Sequence, residues 1–234
     1  MDDIFGEALL DYHAGEQMGE LITETSISEE DVLPVSYLFR SYKSMPSLEQ
    51  KALAHCRGDI LDVGCGAGSH SLYLQDQGLN VTAIDESQGA VHVARSRGVE
   101  YVIHSSLLNF SEGGFDTILL LMNGTGIFST LKEVPRYLEH LKKLLDPGGQ
   151  ILIDGSDLQY MYDRSAEGGI MVPANRYYGE LDFVITYKSR SSRPFPWLYL
   201  DERLFELLAD DHGFNFEILE RGENFDYLAK LSVR

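Results

Sequence analysis

The sequence has few cysteines, few cations and no long apolar run, and each shortage excludes a class of protein. Its 234 residues include only two cysteines, too few for a disulfide framework. The 19 lysines and arginines face 37 aspartates and glutamates, giving a net charge of −18, whereas nucleic-acid binders need a positive surface. We therefore expect no nucleic-acid partner. Without a membrane-length apolar run or a signal-peptide pattern, we also expect a cytoplasmic protein with no membrane partner.

Residue spacing typical of metal ligands is also missing. The seven histidines form no H-E-x-x-H pattern, and the two cysteines form no C-x-x-C pair, so we predict no metal site. Hydrophobic residues make up 44% of the chain, which is enough for a sizeable core. The length suits one large α/β domain with a small appended lid.

The stretch around which the chain is organised is rich in glycine. Residues 60–63 read as a buried strand, and Gly64, Gly66 and Gly68 then alternate with other residues before a helix begins. Glycine permits a sharp turn and lets a ligand lie against bare backbone. Asp85, which ends the next apolar run, lies 21 residues after Gly64, and an acid in that place suits two ribose hydroxyls. These features predict a nucleoside-cofactor site.

The spacing of the glycines distinguishes between cofactors. A dinucleotide turn follows G-x-G-x-x-G/A, but Ser69 stands at the third small position. With Asp62 the pattern is instead D-x-G-x-G-x-G, and residues 61–68 (LDVGCGAG) closely resemble the first motif of the Rossmann-like S-adenosylmethionine (SAM) methyltransferases. The resemblance implies SAM as cofactor, with Asp62 near its amino-acid end, Gly64 and Gly66 under it, and Asp85 on its ribose.

The resemblance covers residues 58–155 in order and spacing. After the strand 100–103, Ser106 and Leu107 stand where the family places an acid and an apolar residue at the adenine. The strand 115–122 ends in Met122 and Asn123, where the family brings the transferred methyl to the acceptor; the prolines that some amino-methylating members carry there are absent. The Leu-Asp-Pro-Gly-Gly turn before a strand at 150–153 also matches.

The implied fold is α/β: a Rossmann-like methyltransferase fold with a seven-stranded, mostly parallel sheet, an antiparallel last strand and helices on both faces. Residues 215–220 and 225–233 read as the antiparallel pair at the sheet's end. We assign no catalytic base, and Cys65 is interpreted as a small residue of the turn because no base adjoins it. The predicted cofactor site comprises Asp62, Gly64, Cys65, Gly66, Asp85, Glu86, Ser106, Leu107, Met122 and Asn123.

Two segments outside the motif are predicted to cover the site. Residues 1–57 are interpreted as an N-terminal helical lid in which 23–31 is polar and turn-like, and 58–234 as the SAM-binding domain. An inserted cover, 157–200, contains a predicted β-hairpin formed by 182–188 and 195–200. The alternatives left open are that the lid aromatics only fix the N-terminal helices and that the hairpin serves dimer contact or core extension. Candidates for the acceptor pocket are Tyr12, His13, Arg40, Tyr160 and Trp197.

The leading hypothesis is a SAM-dependent methyltransferase that methylates a small molecule by in-line displacement. A nicotinamide-dependent oxidoreductase is an alternative, because Asp85 fits that cofactor equally well, although Ser69, Asp62 and the antiparallel end of the sheet disfavour it. A non-catalytic SAM-binding protein is a second alternative. The methyl acceptor itself is not specified by the sequence, because fold does not fix function.

Overall fold

A computed structural model describes residues 3–16, 19–165, 167 and 169–234, which form two sheets and their covering helices. The helices are α1 (Ile4–Ala14), α2 (Ser47–His55), α3 (Ser69–Asp76), α4 (Gln88–Arg97), α5 (Val134–Leu144) and α6 (Glu202–Asp211). The strands are β1 (Leu21–Thr25), β2 (Ser28–Leu33), β3 (Asp59–Val63), β4 (Asn80–Asp85), β5 (Tyr101–His104), β6 (Phe115–Leu120), β7 (Leu145–Ser156), β8 (Glu180–Tyr187), β9 (Arg190–Ser191), β10 (Phe195–Leu198), β11 (Phe214–Arg221) and β12 (Asp226–Val233).

The larger sheet has seven strands in the order β11-β12-β7-β6-β3-β4-β5. The strands from β7 to β5 are parallel, whereas β12 runs antiparallel to both β7 and β11. The predicted sheet and its antiparallel end are therefore confirmed. Because β3, β4, β5, β6 and β7 run the same way, their carboxyl ends meet at one edge, which is where ligands bind in open α/β sheets.

Helices cover both faces of this sheet, as predicted, and successive strand residues belong to opposite layers. Leu61 and Ile118 pack with residues of α5 and α6, whereas Ile60 and Leu119 pack with residues of α2 and α3. The residues of both layers are buried, which explains why β6 is a nearly continuous apolar run.

The smaller sheet is antiparallel, with the order β10-β8-β1-β2 and the short β9 beside β8. The predicted hairpin of the insert is confirmed as the β8–β10 pair, but β8 also pairs with β1 of the N-terminal segment. The prediction that 23–31 is turn-like is wrong: only Ser26 and Ile27 form a turn, between β1 and β2. Polar residues suit these strands because β2 lies at the sheet's edge and is largely exposed.

The N-terminal segment is thus partly helical and partly extended, and it is fixed to the main domain at α4. A Cβ on Gly89 would lie 2.6 Å from the backbone of Gly6, so α1 and α4 cross with almost no space between them. The Asp3 carboxylate accepts hydrogen bonds from the N–H groups of both glycines and from the Ser87 hydroxyl. One carboxylate therefore satisfies donors at the start of two helices, which ties α1 to the loop after Asp85.

Candidate cofactor and acceptor site

The glycine turn after β3 presents an open stretch of backbone. Gly64, Gly66 and Gly68 have φ values of 73°, 53° and 80°, which disfavour residues with a side chain. A Cβ on Gly66 would meet no atom within 4 Å, whereas one on Gly68 would lie 2.7 Å from Val99. Gly68 therefore serves packing of the turn against its neighbours, and Gly66 leaves room above the turn for a ligand.

Asp85 ends β4 beside this turn, with its carboxylate fixed by backbone donors. Its oxygens accept hydrogen bonds from Gly66 N and Ser87 N, each at 2.8 Å. Burial raises its pKa to about 6, although these two bonds oppose the shift. Each carboxylate oxygen keeps a further lone pair, so the group can still accept hydrogen bonds from two hydroxyls. Glu86 is exposed, and its carbonyl lies 2.8 Å from His104 Nε2.

Asp62 and Cys65 lie inside the protein beneath the turn. Asp62 is 2% exposed and accepts a hydrogen bond from the Ser71 hydroxyl at 2.5 Å, which links β3 to α3. Burial raises its pKa. Burial also raises the pKa of the Cys65 thiol well above its ordinary value, with the nearby carboxylates adding to the effect. Cys65 is therefore a buried thiol, which agrees with its interpretation as a small packing residue.

The end of β5 supplies the two residues predicted at an adenine. Ser106 is partly exposed and stands immediately before a short 3-10 turn, Leu107–Asn109. Leu107 is 3% exposed and packs in the main core layer with Leu61. The hydroxyl of Ser106 is thus the more accessible of the two groups.

The end of β6 is a turn in an unusual conformation, held by a carboxylate that the sequence reasoning did not assign to the site. Met122 and Asn123 have φ values of 67° and 60°, which are uncommon for residues other than glycine. Asp154, near the end of the neighbouring β7, accepts hydrogen bonds from Met122 N at 3.0 Å and Gly124 N at 2.7 Å. Burial raises the Asp154 pKa to about 6 against these bonds. An acid leaving a strand at the ligand-binding edge was the available signal.

The same turn is joined to the smaller sheet. Asn123 Nδ2 and the Thr125 hydroxyl both donate to the carbonyl of Leu198, each at 3.2 Å. A Cβ on Gly126 would lie 2.0 Å from the Trp197 ring, so this indole rests directly on glycine backbone. Trp197, a predicted acceptor-pocket residue, is therefore placed against Gly126, three residues after Asn123.

Arg40, a second predicted pocket residue, lies in a buried ion cluster. Its guanidinium pairs with Glu49 and donates to the Tyr37 carbonyl at 2.5 Å, while His70 Nε2 lies 2.7 Å from the same Glu49 carboxylate. Burial raises the Glu49 pKa, but His70 and Arg40 outweigh it, and the pKa lies below its ordinary value. The Arg40 Nε is buried and has no hydrogen-bond partner among the described residues.

The structure does not bring together the remaining candidates. Tyr12 packs against Phe39, with ring centroids 4.5 Å apart, in the cluster that holds α1. His13 is exposed near the end of α1. Tyr160 is 51% exposed and stacks on Phe225 at 5.5 Å. The contacts of Tyr12 match the alternative in which the lid aromatics fix N-terminal helices, and the pocket assignments of Tyr12, His13 and Tyr160 stay predictions.

Neither a cluster of metal-binding side chains nor a membrane-spanning helix occurs in the part of the chain that the structure describes. No group of three or more His, Cys, Asp or Glu side chains in 3–16, 19–165, 167 and 169–234 could hold a metal ion. None of the helices in that part of the chain has the length and apolar character needed to cross a membrane.

Comparison with known proteins decides the family. A model of the methyltransferase domain matches residues 61–153. A crystal structure of a SAM-dependent methyltransferase from Bacteroides fragilis, in complex with S-adenosyl-L-homocysteine (SAH), is 42% identical, with a TM-score of 0.92, and the match covers 99% of this chain and 94% of that one. The chain belongs to the SAM-dependent methyltransferases. The curated relatives match this methyltransferase over shorter stretches.

A probable tRNA methyltransferase 9B from Mus musculus is 31% identical over 50% of this chain and 26% of its own length. A demethylmenaquinone methyltransferase from Clavibacter sepedonicus is 32% identical over 44% of this chain and 43% of its own. The match thus spans about a quarter of the first relative's length and less than half of the second's.

Proposed function

We propose that this protein transfers the methyl group of SAM to a small-molecule acceptor. The observation that carries the proposal is the placement of two features at one sheet edge. An open glycine turn with a backbone-fixed carboxylate, Asp85, follows β3 and β4, and the carboxylate-held turn at Met122 and Asn123 follows the adjacent β6. The glycine turn with Asp85 suits a nucleoside. The turn at Met122 and Asn123 adjoins the smaller sheet.

The residues present fit this cofactor. The open space over Gly66 and the spare lone pairs of Asp85 accommodate a ribose diol. The Ser106 hydroxyl would bind the adenine, with Leu107 beneath it, and Met122 and Asn123 would border the sulfur. Asp62 orders the start of α3 through Ser71 near the amino-acid end of the cofactor. Arg40, whose guanidinium is ion-paired with Glu49, lies on the lid side.

The bound cofactor supplies an electrophilic methyl carbon on a sulfonium centre. The chain's own residues bind, orient and exclude water, because alignment of two reactants contributes much of the rate in such displacements. Asp154 fixes the backbone of the turn at which the acceptor meets the methyl group. We assign no residue the role of a catalytic base, so an acceptor that is already deprotonated, or that loses its proton to water, suits this site.

The net charge favours a small acceptor over a nucleic acid. Although the mouse relative is named as a tRNA methyltransferase, this chain carries 37 acidic and 19 basic residues, and polyanion binding needs the opposite balance. We also propose a cytoplasmic location for the enzyme. Because the chain belongs to the methyltransferase family, we no longer propose the oxidoreductase alternative. The experiment below distinguishes an enzyme from a non-catalytic SAM-binding protein.

The test is calorimetric titration of SAH, SAM and NAD into the protein and its Asp85→Ala variant. We expect micromolar binding of SAH and SAM, no binding of NAD, and about ten-fold or greater weakening in the variant, because a lost charged partner is worth about 1–3 kcal/mol. Asp146→Ala, which removes an exposed acid near the start of β7, is the matched control and should leave binding unchanged. No binding of SAH would refute the proposal. Binding of SAM without turnover across an acceptor panel would favour the non-catalytic alternative.

A further inference from the structure

A cluster of four aromatic rings lies on the smaller sheet, beside the Asn123 turn. We call Phe183, Phe195, Trp197 and Tyr199 the aromatic wall. Phe183 lies 6.1–6.2 Å from each of the other three ring centroids, and Phe195 and Trp197 meet edge to face at 6.3 Å. These are the distances and tilts at which aromatic rings attract one another. The four side chains therefore form one continuous surface.

Strand register shows which way this surface faces. Phe183 alternates with Tyr187 and Leu181 on one face of β8, and Phe195 and Trp197 stand opposite Phe183 and Leu181. At one end of that face, Tyr187 is buried against α1. At the other end, the Trp197 ring lies on Gly126. The face therefore looks toward α1 and the main domain, and the aromatic wall lies between Tyr187 and the Asn123 turn.

The rings of the wall are only half-buried although they face the protein. Leu181 and Tyr187 on the same face are 3% and 1% exposed. The neighbouring protein therefore covers the sheet at those two positions, whereas it only partly covers the four rings of the wall. Half-exposed rings that face inward leave apolar area in water, which is unfavourable until something covers it. Continuity with the Asn123 turn identifies what lies next to them: the place where the acceptor must present its nucleophile.

Three of the cations near this surface are already paired, and a fourth, Arg193, is exposed to solvent two residues before Phe195. Arg40 is held by Glu49, Lys188 by Asp11 and Arg176 by Asp182. Burial raises the Tyr199 pKa to about 12, with the charges of Tyr160 and Asp154 adding to it, so its phenol is neutral and lies near that carboxylate. An anionic acceptor would find no free partner in the three paired cations and would be repelled by Asp154, whereas a neutral or cationic ring would be attracted to aromatic faces.

We propose that the aromatic wall binds the methyl acceptor, and that this acceptor carries a planar aromatic ring without negative charge. The ring stacks on Trp197 and Phe183, which directs its substituent toward the turn at Asn123. This inference rests on the proposed methyltransferase function and narrows it to a class of acceptor. Trp197 and Phe183 are then residues that determine specificity, and neither takes part in binding the cofactor.

The experiment exploits the fact that Trp197 is the only tryptophan in the sequence. Protein saturated with SAH is titrated with matched pairs of compounds while tryptophan emission is recorded: 2-phenylethylamine against 2-cyclohexylethylamine, and catechol against 1,2-cyclohexanediol, with benzoate as the anionic ring. We expect the two uncharged or cationic aromatic compounds to quench the emission saturably. The saturated counterparts should bind at least ten-fold more weakly because only a ring face gains stacking, and benzoate should bind at least ten-fold more weakly because its carboxylate meets a chain with a net charge of −18.

Variants test the wall independently, with binding followed by calorimetry. Trp197→Ala should weaken aromatic ligand binding about ten-fold or more, Trp197→Phe should restore most of it, and both should bind SAH as the wild type does. Tyr101→Ala removes an exposed ring at the start of β5 and is the matched control, with no expected effect. Equal binding of aromatic and saturated partners, an unaffected Trp197→Ala, or no quenching while SAH binds would overturn the inference. Failure of SAH binding in the wild type would instead refute the underlying function.

Discussion

The two sheets of this protein differ in how they are built. Five of the seven strands of the larger sheet follow one another along 59–156, and buried hydrophobic layers cover both of its faces. The smaller sheet pairs β1 with β8, segments about 160 residues apart, and is held by aromatic and polar contacts with much exposed edge. We therefore propose that the larger sheet provides stability and the cofactor edge, and that the smaller one provides a surface that can vary with the acceptor.

The largest expected difference between the sheets is in stability. Ile118→Ala removes a fully buried side chain from the centre of the larger sheet, and we expect the free energy of unfolding to fall by about 2–5 kcal/mol. Ile185→Ala makes the same chemical change in the smaller sheet, where the side chain is half-buried, and should cost about 1–2 kcal/mol. Urea unfolding followed by circular dichroism measures both. Equal losses would show that the two sheets are equally packed.

A second prediction concerns the junction between the sheets. Asp154→Ala leaves the backbone donors of Met122 and Gly124 without their acceptor, and we expect a loss of about 2–3 kcal/mol in the free energy of unfolding together with reduced methyl transfer. SAH binding should change less than turnover. Asp116→Ala is the control, because that carboxylate accepts a backbone bond from Asp59 at the opposite edge of the sheet. An unchanged free energy of unfolding in Asp154→Ala would mean that the turn keeps its conformation without this carboxylate.

A smaller effect is expected from the titration of Asp85. Its folded pKa of about 6 lies above the ordinary value of 3.8, so the folded protein binds this proton more tightly than the unfolded chain between these pH values. The group's contribution to the free energy of unfolding therefore decreases as pH rises through that window, by about 3 kcal/mol at most. Asp85→Asn should flatten this decrease when urea unfolding is measured at pH 4, 5, 6 and 7. An identical pH profile in the variant would contradict the raised pKa.

The sequence predicted the larger sheet well because its strands and helices depend on local patterns. The helix caps Ser87 and Asp201 accept the expected backbone bonds from Ala90 and Leu204, and the α4 boundaries agree with the prediction. The predicted Leu-Asp-Pro-Gly-Gly turn lies within β7. It coincides with a shift in the register of the β6–β7 pairing, between the pairs formed by Phe115 and by Thr117.

What the sequence could not predict depends on distant contacts. β1 and β2 are rich in polar residues, and only their pairing with β8 makes them strands, a tertiary effect that no local pattern reveals. Asp154 likewise acquires its role from a turn some thirty residues earlier in the chain. For the same reason the acceptor side was predicted only in part: Trp197 reaches the turn, whereas His13 stays exposed on α1.

The most direct test of the division between cofactor edge and acceptor surface compares two glycine variants. Gly66→Ala places a methyl group in the open space over the turn, and Gly126→Ala displaces the Trp197 ring. SAH is titrated by calorimetry into each folded variant, and tryptophan emission is recorded. We predict that Gly66→Ala weakens SAH binding a hundred-fold or more with unchanged emission, whereas Gly126→Ala shifts the emission and leaves SAH binding within three-fold of wild type. Intact SAH binding in Gly66→Ala, or its loss in Gly126→Ala, would contradict the account.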